Sequence, residues 1–381
     1  MTTEQRQDEA RPDEAPEKRE PDITSPLAAS YFTDFSWMKR SRQWGTRAPR
    51  GPGGLTLEAI NIGVYGDLPD DWDEPSRMPR GTYPVPGAVP LGPAFISKKS
   101  HQWADHAAEL YEESISRRWS TATDVPWESA HDLPRDVELA MCQVATELSH
   151  IGSIEAEVVA SWLELLSYGF HEVKLCLSRQ VFESARQFEG WRKRALLNVD
   201  QLGLESPGWA NRMLLESRVG WTETCLALHV LRGSYLLTLL RYLAAYGPSE
   251  ADRALAGGMV ADKARHLAYG MEHSRYALGS EPEFRDSWNR ALVGAEAAVN
   301  RDEDDHVLQE ALAIVFGGGV RGMDRGMELV QRMRRDWTRA YLARMDWIGL
   351  DRDPWLTPRM RENLDGPSAN GTGDAAGEAA G

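Results

Sequence analysis

Apolar residues fall at helical spacing almost without interruption from about residue 100 to residue 348. The spacing predicts one helix in HQWADHAAELYEESISRRW. After the break ATDVPWE, a second starts near Pro134 and runs through VELAMCQVATELSHIGSIEAEVVASWLELL. A third occupies HEVKLCLSRQVFESARQFEGWRKRALL, and QLGLESPGW reads as a turn. The stretch NRMLLESRVGWTETCLALHVLRGSYLLTLLRYLAAY reads as a single very long helix, stopped by Gly247 and Pro248. The next starts near Ser249 and continues through ADKARHLAYGMEHSRYAL. SEPEFRDSWNRALVGAEAAVN and the region from Asp305 to Ile348 complete the set, with a break expected at Gly317-Gly318-Gly319. GGGVRG has no preceding strand and no following Lys-Ser or Lys-Thr, so it reads as that break and not as a phosphate loop. Long helices joined by short turns, without sustained heptads, predict an all-α bundle and not a coiled coil.

The pattern changes before residue 100. Residues 27–99 are rich in Gly and Pro, as in RAPRGPGG and GTYPVPGAVPLGP, so regular helix is not expected there. They also carry YFTDFSW, Leu55, Ile60, Ile62, Val64 and Tyr65, too many packing residues for a free linker. The reading is an extended arm laid on the helical body or on a partner subunit. Residues 1–26 are charged and Pro-containing and read as a disordered tail. The expected organisation is therefore a tail at 1–26, an arm at 27–99, a bundle at 100–349 and a mostly disordered C-terminal tail at 350–381.

Composition narrows the partners. Of 381 residues 42% are hydrophobic, enough for a large core, and the net charge of −15 argues against nucleic acid and anionic membranes. The first twenty residues lack an apolar segment, so no secretory signal is expected, and no apolar run is long enough to span a membrane. Cys142, Cys176 and Cys225 form no CxxC pair and read as core residues of a cytoplasmic protein. The 14 Trp residues, among them Trp37, Trp44, Trp72, Trp127 and Trp355, read either as pins for irregular segments or as a subunit interface.

Two segments carry chemistry. E183-S-A-R-Q187 and D262-K-A-R-H266 stand on the third helix and on the one that starts near Ser249. They resemble the paired D-E-A-R-H segments of ferritin-like, carboxylate-bridged diiron oxygenases and ribonucleotide reductase small subunits. The resemblance implies a ferritin-like bundle in which each segment supplies Glu and His three residues apart, while the first and third core helices add one Glu each. Here Ser184 stands at the first Glu position, Gln187 at the first His position and Lys263 at the second Glu position; His266 is retained. Glu147 and Glu155 are the candidates on the first core helix, and Glu223 on the third. Iron is the metal that the resemblance implies, and the three replacements predict that no intact diiron centre forms. A Lys263 ammonium would repel iron and pair with a left-over carboxylate, from Glu223 and one of Glu147 or Glu155.

Two functions follow from the resemblance. One is an auxiliary or structural subunit of an oxygenase complex, forming a homo- or hetero-oligomer with a related ferritin-like subunit. The alternative is a divergent non-haem iron oxidoreductase that oxidises a small organic substrate with O2. Bland readings apply to the remaining motifs. Glu147 and His150 form an isolated E-x-x-H. His229 reads as structural, and Glu172 with Glu183, beside Arg179 and Arg186, reads as a solvated ion-pair stripe.

Overall fold

Helix-forming text becomes helix at nearly every predicted place. The computed structural model describes residues 47–73, 78–80, 92, 94–217 and 219–365, and the expectations for 1–46, 81–91 and 366–381 lie outside them, Trp37 and Trp44 included. Helix α1 is Ala107–Ser116. Helix α2, Arg135–Leu163, begins directly after Pro134, and its first turn carries Asp136 and Glu138, which suit the positive end of the helix dipole. Helix α3, His171–Ala195, ends on Arg192, Lys193 and Arg194, the complementary choice at the other end.

The predicted 36-residue helix is divided. Its first part is α4, Trp209–Glu216. Backbone at Ser217 and Gly220 is extended, and a new rod then starts: α5 (Trp221–Cys225), a π-helical segment (Leu226–Arg232) and α6 (Gly233–Tyr246) run on without a gap. Helix α7, Glu250–Ser280, opens with a capping box: Ser249 Oγ accepts from the Asp252 amide and the Asp252 carboxylate accepts from the Ser249 amide. Helices α8 (Arg285–Glu303), α9 (His306–Gly317) and α10 (Met323–Ile348) follow. The break between α9 and α10 falls at the expected glycines, where Gly318 and Gly319 take φ of 75° and 130°.

The core is a four-helix bundle of α2, α3, the α5–π–α6 rod and α7. Glu138 meets Arg194 and Lys174 reaches Leu163, so α2 and α3 are antiparallel. Arg194 meets Asp252 and Glu183 meets His266, so α3 and α7 are antiparallel as well. The rod and α7 form the second antiparallel pair, with Trp221 against Tyr269. The long crossover 196–220 carries α4 and joins the two pairs. One long crossover between antiparallel pairs is the connectivity of ferritin-like folds. Among the described residues no strand occurs, only isolated bridges such as that of Ile96 with Leu166.

The described part of the 27–99 segment lies on this bundle. Arg80 is 1% exposed and meets Glu172 at 2.5 Å, and Ile96 exchanges backbone hydrogen bonds with Leu165 and Ser167. The packed chain also extends past the boundary drawn at residue 349. Leu350, Leu356 and Met360 are buried, Arg352 binds Glu296 and Asn289, and Pro358–Asp365 forms α11. Of the predicted C-terminal tail, 350–365 is packed on the bundle and 366–381 lies outside the described residues.

Candidate functional site

The two acid-x-x-Arg repeats meet across the α3–α7 contact. Arg186 of α3 donates to Asp262 at 2.6 Å, and Arg265 of α7 donates to Glu183 at 2.7 Å. Arg265 also reaches Asp262 at 2.6 Å, and Trp119 donates to the same carboxylate at 3.3 Å. All four charged groups of this crossed pair are buried. The solvated stripe predicted for Glu172 and Glu183 is therefore wrong. Both acids are buried, Glu172 on Arg80 and Asn61, Glu183 on Arg265 and His266. Helical spacing gave only which residues share a face, not what covers that face.

Inside the crossed pair stand the positions read as replaced ligands. Lys263 Nζ donates to Glu155 Oε2, and both side chains are buried, 4% and 3% exposed. Burial pushes Lys263 down to about 7. His266 Nε2 meets Glu183 Oε2 at 3.0 Å. Burial, then the neighbouring Lys263, holds His266 well below its usual range, so the ring is neutral. A neutral ring that gives its Nε2 proton to Glu183 keeps a bare lone pair on Nδ1. Among the described residues that Nδ1 has no hydrogen-bond partner, and neither do Ser184 Oγ and Gln187 Nε2. Burial raises the carboxyls of Glu183 and Asp262, against the pull of Arg265 and Arg186 respectively. Gln180 and His229 close the next layer, with the Gln180 amide 2.8–3.0 Å from His229 Nε2.

The other two predicted positions are elsewhere. Glu147 and Glu155 are eight residues apart, roughly 80° around α2 and about 12 Å along it, so they cannot face the same point. Glu147 takes a hydrogen bond from Ser206 and lies near Arg232 and Asp302, and burial raises its carboxyl. Glu223 sits in the first turn after Gly220 and accepts from Trp288 Nε1 of α8 at 3.1 Å. The expectation that Glu223 or Glu147 partners Lys263 is corrected to Glu155 alone. His150 is half-buried, and among the described residues no group of three His, Cys, Asp or Glu is placed to hold a metal ion.

The donor set does not fit a pair of divalent cations. Such a centre needs several anionic oxygens together with imidazoles. Here the carboxylate of Glu155 is taken by an ammonium, Glu183 is taken by Arg265 and His266, and Ser184 and Gln187 are neutral. The space beside it is small as well. Gln180, Glu183, Arg265, His266 and Cys176 line a gap of about 10 Å³, close to the minimum for one water. The crossed pair escaped the sequence reading, although its signal was present: acid-x-x-Arg occurs at equivalent places in both segments, 183–186 and 262–265.

No protein-family model matches the chain, and no curated protein does. Among solved structures it is similar to a ribonucleotide reductase R2 subunit from Clostridium botulinum. Identity is 12%, coverage 68% of this chain and 86% of that one, and the TM-score 0.47. It is also similar to an R2-like ligand-binding oxidase mutant with an aerobically reconstituted Mn/Fe cofactor, at 14% identity, 62% and 92% coverage and a TM-score of 0.43. A third is a dimanganese(II) NrdF from Streptococcus sanguinis, at 12% identity, 68% and 95% coverage and a TM-score of 0.43. These values mark a partial likeness, and the functional reading below rests on this chain's own side chains.

Proposed function

We propose that this chain is a ferritin-like protein whose bundle centre is closed by an ion pair in place of a diiron site, and that it serves as an auxiliary or structural subunit of an oxygenase complex. The observation that carries the reading is the contact of Lys263 with Glu155 in the bundle interior. An ammonium supplies the positive charge that a metal would otherwise supply, and it leaves the carboxylate satisfied. The crossed Arg186–Asp262 and Arg265–Glu183 pairs support the reading further, because they hold α3 and α7 in register without any metal.

The partner in this reading is a related ferritin-like subunit, or a second copy of this chain. The compartment is the cytoplasm, consistent with three free, buried cysteines. Among the described residues no helix is long and apolar enough to cross a membrane.

The alternative, a divergent oxygenase, draws on the unpartnered Nδ1 of His266. The gap of about 10 Å³ beside His266 supports the first reading, because it is too small to hold an organic substrate next to that ring.

The test is reconstruction. The triple change Ser184→Glu, Gln187→His and Lys263→Glu rebuilds both E-x-x-H pairs on intact helices. The expected result is a clear gain in iron bound per chain over the natural sequence. Equal and stoichiometric iron in both proteins would refute the reading.

A further inference from the structure

Lys263 is a buried amine whose one hydrogen-bond and ion-pair partner among the described residues is a buried carboxyl, and both are carried on rigid helices 108 residues apart in sequence. We propose that Lys263 and Glu155 condense to a side-chain amide, an isopeptide bond that ties α2 to α7. The inference rests on the reading that this pair, and no metal, fills the bundle centre.

Two features of the site favour the reaction. First, the partners are held in contact, which removes the entropic cost of bringing an amine and a carboxyl together. Second, they are nearly free of solvent. Burial makes the two charges costly to keep, and the neutral amine and neutral acid that one proton transfer between them produces are the forms that condense.

The step balances without an oxidant or a co-reactant. Lys263 Nζ forms a bond to Glu155 Cδ, and one carboxyl C–O bond breaks. One proton of the attacking nitrogen goes to the departing hydroxyl, which leaves as water. The net change is the loss of one water. One buried positive and one buried negative charge disappear together, so the net charge is unchanged and the cost of burying an ion pair is removed.

The experiment is intact-mass measurement of the full purified chain, followed by proteolysis, peptide mapping and metal analysis of the same sample. The expected mass is lighter than the sequence by one water. The map should contain a branched peptide joining the segments around 155 and 263. Lys263→Met should show the full mass of its own sequence. Full mass in a metal-free chain would overturn the amide and leave the metal-free reading standing. Full mass with tightly bound iron would overturn both. A missing water that maps elsewhere, such as to an aspartyl succinimide, would also overturn it.

Discussion

Lys263 shows what a single side chain does to this bundle. Removing one member of a buried ion pair leaves the other charge stranded, which costs about 3–5 kcal/mol. Lys263→Met should therefore lower the unfolding free energy by about that amount in urea denaturation. Adding Glu155→Leu should return most of the loss, because an apolar pair of similar size carries no uncompensated charge. A double variant no more stable than Lys263→Met would show that the pair is not what holds these positions. Glu303 offers a pH test at a separate place. It is buried, accepts from Trp337 Nε1 at 2.7 Å and lies near Arg334, Arg359 and Asp304. Burial pushes it from 4.5 up to about 7. A raised carboxyl binds its proton more tightly in the folded state, so its contribution is full below pH 4.5 and is lost as pH rises through about 7. The loss is on the order of 3 kcal/mol at most. Glu303→Gln should flatten the stability profile across that window, as read by thermal unfolding at a series of pH values. An unchanged profile would remove Glu303 as its source. At this scale the sequence shows Lys263 standing where the resemblance expects Glu. It does not show which acid answers Lys263, because that depends on how far around α2 each candidate points.

The elements differ in how openly the sequence announces them. Helix α7 is legible from Ser249 and Asp252, and the α9–α10 break from its glycines, because caps and positive φ angles demand particular residue types. The π segment Leu226–Arg232 is not legible. All seven of its residues are buried, and burial continues on every side through Leu240, so no apolar stripe exists whose period could betray the wider turn. The segment nevertheless places His229. Gly270 of α7 makes room for it, since a Cβ on Gly270 would lie 2.1 Å from His229 Cβ. Gly270→Ala should force the rod and α7 apart, with a cost of about 1–3 kcal/mol or more. It should also shift the His229 ring signals in NMR. A variant of unchanged stability and unchanged His229 environment would contradict the close approach.

For the molecule as a whole, helix order was readable from periodicity, although one predicted helix is divided and α11 was not foreseen, and the single long crossover then follows from how the helices pair. The organisation of the charges was not readable. A chain of net charge −15 suggests a solvated polar surface, yet many of its charges are internal. Arg194 is fully buried and binds Glu138 and Asp252, so one side chain joins α2, α3 and α7. Arg352, beyond the boundary expected at 349, does the same for Glu296 and Asn289. Charged residues look alike in sequence whether they face water or each other, so only the packing of the helices separates the two cases. The bundle is thus cross-linked by charge where the resemblance expects metal, and metal content is the most direct measure of that claim. Protein purified from cells supplied with iron and manganese should hold well under one metal ion per chain. Two tightly bound ions per chain, with an absorbance change on exposure to O2, would contradict it.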